Sequence, residues 1–215
     1  QCAKRKKSRV VVINARLSER SALGYRKISA LVKEMLSQVD VMCCQERDTA
    51  NRFESLGLSS EKVSVTGNLK YDLQVSDSVL EQGKILRLQF GLARPVWIAG
   101  STHRGEDQIL LDAHKKLLSV RPDALLLLVP RHPERFDEVA ELSSSNGFSF
   151  SRRSENFSGV SRAQVAIVDS VGELLPMYSS ADVAFVAGSL IPRGGHNPIE
   201  PAAVGIPILT GPHYF

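Results

Sequence analysis

The chain has 215 residues, 43% hydrophobic and 23% charged, with 27 basic against 23 acidic side chains and a formal charge of +4. That length allows one large domain or two modest ones, and the apolar fraction excludes an intrinsically disordered chain. The longest apolar run, residues 124–130, is strand-sized and far short of the roughly 18 residues of a membrane helix. In chain order, the β-branched run 9–13 predicts a buried strand, and Ile28, Leu31, Val32, Met35 and Leu36 fall on one stripe of a helix. A strand over 39–44, a helix over 46–56 ended by Gly57, and a strand over 63–65 follow. Gly67-Asn68 breaks this pattern, and the polar stretch 74–78 marks a linker, set at residues 75–82.

The alternation then restarts. A helix over 79–86 precedes a strand over 95–99 that runs into Gly100-Ser101-Thr102. The next helix, 106–120, carries Glu106 and Asp107 in its first turn, where the helix dipole favours acids. Residues 124–129 read as a buried strand, and Pro133 opens a helix closed by Asn146-Gly147. Residues 143–161 read as a polar, variable insertion. A strand over 165–168, a helix from Gly172, a strand over 183–187, a helix near Ile199 and a strand over 206–209 complete the series. Strands alternating with helices imply parallel βαβ units and an α/β fold in two lobes, the first lacking its beginning.

The charge is unevenly divided. Residues 1–74 carry 14 Lys and Arg against 8 Asp and Glu, a net +6, whereas 75–215 carry 13 against 15, a net −2. A basic first part calls for an anionic partner: nucleic acid, a membrane surface or a phosphorylated substrate. Cys2, Cys43 and Cys44 are too few and too irregularly spaced for a disulfide framework or a zinc site, and Cys43-Cys44 reads as part of a buried strand. The cations near the start lead into no signal peptide. The sequence opens on Gln1 and closes on Phe215 just after a Gly-Pro turn, so it reads as an excerpt of a longer chain.

Open parallel sheets bind ligands beyond the carboxyl ends of their strands, so the residues after each strand are the ones to inspect. Arg131 follows a Leu- and Val-rich strand and offers a guanidinium fork for phosphate, or else a salt bridge to a neighbouring carboxylate. Gly194-Gly195 leaves backbone N–H groups free to approach a phosphate or sugar, or else simply makes a tight turn. Glu200 sits where a carboxylate can accept from ribose hydroxyls, or where the helix dipole favours a surface Glu. Glu173 has the same two readings, with the surface one favoured. Several familiar chemistries are missing. There is no G-x-x-x-x-G-K-[ST], no G-x-G-x-x-G after the first strand of either lobe, no H-E-x-x-H, no Asp-x-Asp and no G-x-S-x-G, and the five histidines lack metal-ligand spacing. Metal-free binding of a phosphorylated ligand between two α/β lobes is what remains.

The strings Asn14-Ala15-Arg16-Leu17-Ser18, Val65-Thr66-Gly67-Asn68-Leu69-Lys70-Tyr71-Asp72, Ser101-Thr102-His103-x-Gly105-Glu106, Pro130-Arg131-His132-Pro133-Glu134-Arg135-Phe136 and Gly194-Gly195-His196-Asn197-Pro198-Ile199-Glu200 resemble the Kdo transferase family along essentially the whole chain. Members of that family transfer 3-deoxy-D-manno-oct-2-ulosonic acid (Kdo) from CMP-Kdo to lipid A precursor in lipopolysaccharide assembly. The resemblance implies a GT-B glycosyltransferase: two Rossmann-like lobes with the active site in the cleft between them, and no metal or other cofactor. Residues 1–74 would then be the later part of the acceptor lobe, and 83–215 a CMP-sugar donor lobe incomplete at its end. By the same resemblance Pro130 and Arg131 contact CMP, Val171, Gly172 and Glu173 line the nucleotide pocket through backbone groups, and Asn197, Pro198, Ile199 and Glu200 complete it, with Glu200 on the ribose. Ser101, His103, Lys70 and Gly195 are further cleft residues. The family's general-base carboxylate and membrane anchor would both precede Gln1, so no catalytic residue is expected in this chain, and this piece alone is expected to be inactive. The implied partners are CMP-Kdo, the lipid A precursor (lipid IVA) and an anionic membrane surface, at the cytoplasmic face of an inner membrane.

Two rival readings stand beside this one. The first is another GT-B enzyme using a different sugar nucleotide, such as a UDP-sugar transferase or epimerase, which nucleotide preference would separate. The second is a non-catalytic nucleotide- or RNA-binding module. The latter calls for cations interleaved with aromatics, and residues 1–9 contain no aromatic, so no nucleic-acid partner is expected.

Overall fold

A computed structural model describes residues 8–214; Cys2, the basic run Lys4-Arg5-Lys6-Lys7 and Phe215 lie outside the described residues. The chain divides into two compact units, Gln1–Leu73 and Gln74–Phe215. In the first unit, strands β1 (Val11–Ala15), β2 (Val41–Cys44) and β3 (Val63–Val65) form a parallel sheet in the order β1-β2-β3. Helices α1 (Glu19–Arg26), α2 (Ser29–Ser37) and α3 (Arg47–Ser55) connect them. Val32 and Leu36 of the expected stripe are buried with Met42, Cys44 and Ala50, whereas Ile28, Leu31 and Met35 are exposed. Gly57, at φ 103°, ends α3 as its position suggested. Helix α1 was not expected, because only Ala22 of its eight residues is buried and no apolar period announces it. Its start is set instead by Ser18, whose Oγ accepts from the Ser21 N–H at 3.2 Å.

The second unit has a six-stranded parallel sheet of β4 (Val96–Thr102), β5 (Leu125–Pro130), β6 (Phe150–Arg152), β7 (Val165–Ile167), β8 (Val183–Val186) and β9 (Ile208–Thr210). Its order is β6-β7-β5-β4-β8-β9. Every residue of β5 is buried, and its leucines alternate between faces. Leu125 and Leu127 pack with Leu86 and Phe90 of α4 (Asp77–Phe90) and with Met177 and Tyr178 of α7 (Leu174–Ser179). Leu126 and Leu128 pack with Leu110 and Leu111 of α5 (Asp107–Val120) and Val139 of α6 (Phe136–Ser145). That two-sided cover is why these strands read as unbroken apolar runs. A last short helix, α8 (Ile199–Ala203), precedes β9. The α/β class and the parallel sheets are as the alternation predicted.

Two local expectations fail. Most of the stretch expected as linker, 75–82, is helix, since α4 starts at Asp77. Its early residues are polar because only Gly83, Leu86 and Phe90 are buried, so the first turn looks like linker in the sequence. The expected insertion over 143–161 is also largely built into the unit. It holds the end of α6, strand β6, and Phe157 and Val160, both buried. Phe157 meets Phe90 edge-on at 5.4 Å. The Arg94 guanidinium fixes this segment by donating to the carbonyls of Val160 (2.9 Å) and Ala163. Side chains spaced without a period and held through backbone oxygens leave no pattern to read.

Candidate functional site

The strand order of the second unit reverses between β4 and β8, which pair directly from Trp97–Val183 to Gly100–Val186. A crevice beyond the carboxyl ends of two such strands is where ligands settle in open α/β sheets. The end of β4 is irregular. Its register with β5 shifts between Gly100 and Thr102, and Ser101 adopts φ 61°. Gly100 is required by a close approach, because a Cβ there would lie 2.0 Å from the Tyr178 hydroxyl.

Beyond β8 the chain doubles back. Gly195 N–H donates to the Gly188 carbonyl (2.9 Å) and His196 N–H to the Ala187 carbonyl (3.0 Å). This brings the His196 ring over His103, with centroids 4.9 Å apart and planes 20° from parallel. Their Nε2 atoms are 2.8 Å apart, so one ring donates and the other accepts. The His132 ring centroid lies 5.5 Å from that of His103. Burial, then His196 and Arg193, lower the proton affinity of His103, while Glu106 works in the opposite direction. His196 is lowered by burial first and then by Arg131. Gly194 and Gly195 have φ of 95° and 73°, the tight-turn conformation that glycine permits.

Pro130 ends β5, and Arg131 follows with its backbone N–H on the Thr102 carbonyl at 3.0 Å. The Arg131 side chain is exposed and has no hydrogen bond or ion pair among the described residues. Arg135, four residues on, behaves oppositely. It is buried, pairs with Asp107 and donates to the Thr102 carbonyl at 2.8 Å, while Thr102 Oγ1 donates to Asp107 at 2.6 Å.

Val171 and Gly172 lie exposed after β7, with Gly172 at φ 85°. The Glu173 carboxylate is held by Arg153, through Nη2 at 2.7 Å and Nε at 3.0 Å, and this pairing holds its pKa below the usual carboxylate range. Its side chain is therefore committed to the fold, leaving its backbone for any ligand. Asn197 Oδ1 accepts from the Ile199 N–H at 3.0 Å, and Pro198 precedes α8. Glu200, half-buried in the first turn of α8, faces Tyr178, whose phenol is pushed up by burial and then by that carboxylate. Pro130 at the end of β5, and Arg131, Val171, Gly172, Glu173, Asn197, Pro198, Ile199 and Glu200 after their strands, thus all belong to the same end of one sheet. Lys70 belongs to the first unit, in a 3-10 turn (Leu69–Asp72) where its N–H donates to Asn68 Oδ1 at 3.1 Å. No group of three or more His, Cys, Asp or Glu is placed to hold a metal among the described residues.

One residue expected only as a helix-start acid does more. Glu106 is fully buried, and its carboxylate accepts four backbone N–H groups. His103 (3.0 Å) and Gly188 (2.8 Å) donate to Oε2, and Ser189 (3.1 Å) and Leu190 (3.0 Å) donate to Oε1.

Comparison with known proteins bears on this site. Residues 1–73 match the family model described as 3-deoxy-D-manno-octulosonic-acid transferase (kdotransferase). The 3-deoxy-D-manno-octulosonic acid transferase of Haemophilus influenzae is 49% identical over 95% of this chain and 48% of its own length. That of Bordetella pertussis is 34% identical over 96% of this chain and 48% of its own. The chain spans about half the length of the curated relatives it matches. Among solved structures, the C-terminal CMP-Kdo binding domain of WaaA from Acinetobacter baumannii is 39% identical with a TM-score of 0.62, covering 65% of this chain and 74% of that one. The UDP-GlcNAc 2-epimerase of Neisseria meningitidis (TM-score 0.57, 17% identity, 97% of this chain and 53% of that one) shares the fold alone.

Proposed function

The chain belongs to the 3-deoxy-D-manno-octulosonic-acid transferase family, and from that premise we propose that it is the part of such an enzyme that holds the sugar nucleotide CMP-Kdo for transfer to a lipid A precursor in lipopolysaccharide assembly. The observation that carries this reading is the unpaired guanidinium of Arg131, beside His196 at the end of β5, in a unit similar to a CMP-Kdo binding domain. A free cationic fork at that end of a parallel sheet suits a phosphate.

In the proposed transfer an acceptor hydroxyl gives its proton to the general-base carboxylate that the family resemblance implies, its oxygen bonds the anomeric carbon of Kdo, and the bond to the CMP phosphate oxygen breaks with the electron pair leaving on CMP. Arg131 meets the charge that develops on the phosphate, and Glu200 accepts from the ribose hydroxyls. A cationic donor at the phosphate stabilises a leaving group without a metal. Val171, Gly172 and Asn197 border the nucleotide with backbone and amide groups. Residues 1–74, with their net +6, serve the acceptor side. The proposed acceptor partner is a phosphorylated lipid at an anionic membrane surface, on the cytoplasmic face of the inner membrane, and a basic charge suits such a surface.

The test is calorimetric titration of the chain with CMP. Arg131→Ala is expected to weaken binding roughly 10- to 100-fold, the loss of a charge-assisted hydrogen-bonded pair. Unchanged affinity would remove the phosphate role from Arg131, and a preference for UDP over CMP would overturn the Kdo-donor reading.

A further inference from the structure

The four N–H groups that point at Glu106 come from two loops at the strand-order reversal, not from any helix or strand ladder. Such loops usually leave their N–H groups to water. Here one buried carboxylate takes them all. We propose that Glu106 is a positioning residue for the site: it holds the 188–190 loop and the His103 backbone in their working places before any nucleotide arrives. The inference rests on the donor-site reading of the second unit.

The connections form a ring. Glu106 binds the Gly188 N–H, and the Gly188 carbonyl accepts from Gly195. Next to it the Ala187 carbonyl accepts from His196, whose ring stacks on His103. The His103 N–H returns to the same Glu106 oxygen. One carboxylate therefore fixes both halves of the imidazole pair that lies beside Arg131. Ser189, held at its N–H, carries the arrangement outward, because its carbonyl accepts from His213 at 2.9 Å and its Oγ from Gly211 at 2.8 Å. Glutamine is the informative replacement. Whichever way its amide turns, the NH2 group faces two N–H donors instead of accepting from them.

The experiment uses the whole chain and CMP as the probe. Glu106→Gln is expected to weaken CMP binding by at least about tenfold at a temperature where the variant is folded. Val139→Ala, which hollows the core around α6, lowers the melting temperature yet should bind within about twofold of the parent. Amide exchange of the unsubstituted chain without nucleotide supplies a second readout that needs no variant. The amides of His103, Gly188, Ser189 and Leu190 should be protected like those of β8, while Val171 and Gly172 exchange freely. Should Glu106→Gln fail to fold, this exchange pattern decides. If those four amides exchange as fast as Val171 and slow only when CMP is added, the loop is not held in advance and the proposal is overturned. It is equally overturned if Glu106→Gln binds CMP like the parent while Arg131→Ala does not, and the donor-site reading then survives. Failure of the unsubstituted chain to bind CMP overturns that reading itself, and the role given to Glu106 with it.

Discussion

His114 shows how a single buried side chain ties stability to pH. It has no exposure, its Nδ1 accepts from the Trp97 indole N–H at 3.0 Å, and its Nε2 donates to the Gln164 carbonyl at 2.8 Å. Both ring nitrogens are therefore used by the neutral form, and a second proton would sever the bond to Trp97. Burial pushes the pKa down to about 4, although the bond to Gln164 works the other way. The unfolded chain, titrating near the ordinary value of 6.5, takes up that proton first as the solution is acidified. Stability should thus fall between about pH 6.5 and about pH 4, by roughly 3 kcal/mol in all. Urea unfolding across that range measures the slope, and His114→Gln should flatten it. The residue scale is also where the sequence was least legible. Arg131 and Arg135 sit four apart in one motif, yet one is unpaired at the surface and the other is paired with Asp107 inside. Glu106 has three of its four donors more than 80 residues away, a distance no local pattern spans.

At the scale of elements, strands such as β5 were legible because a short, unbroken apolar run is satisfied where both faces of a sheet are covered, whereas the run 9–13, expected as a buried strand, leaves Val11 and Ile13 exposed in β1. What escaped was structure held by something other than periodic burial: α1 by its cap, and the segment after β6 by Arg94. Each unit also bends its first strand near the carboxyl end, at Val12/Ala15 in β1 and Gly100/Thr102 in β4. Each bend contains a non-glycine residue of positive φ, Asn14 at 55° and Ser101 at 61°. Such irregularities re-aim side chains at sheet ends, and of the two residues only Asn14 is of a type that readily takes a positive φ. Helix packing gives an element-scale test. Replacing Gly83 by Ala would favour an isolated α4 by about 1 kcal/mol. The new Cβ, however, would lie 1.7 Å from Ser179 Oγ and 2.9 Å from its Cβ on α7. Overpacking of that kind costs about 1–3 kcal/mol, so Gly83→Ala should lower the melting temperature, with Gly83→Ala/Ser179→Gly recovering part of the loss. A rise in the single variant would mean that the two helices part freely.

For the molecule as a whole, the division at Leu73/Gln74 falls between separate buried clusters. One cluster lies within residues 10–63, and the other two lie within 86–206. No buried apolar cluster among the described residues is shared. Residues Gln74–Phe215 made alone should therefore fold cooperatively, with a melting temperature within a few degrees of the same transition in the whole chain. Dispersed amide spectra would support this, whereas dye binding without near-UV dichroism would show that the second core is incomplete by itself.

The loop after β7 is fastened at both ends by consecutive arginines. Arg152 Nε donates to Asp169 at 2.7 Å, and Arg153 holds Glu173. Ser154 adds two further bonds to Asp169, at 2.7 and 2.6 Å, and together with Arg152 these outweigh the burial that alone would raise that carboxyl's pKa. Ser170 Oγ donates to Glu173 and is tied down as well. Only Val171 and Gly172, at the tip, carry no such fastening. Fixing a backbone residue costs about 1–2 kcal/mol of conformational entropy, so a ligand that closes this loop upon itself orders the tip and not the whole turn. The rest of that entropy was already given up when the edge strand docked.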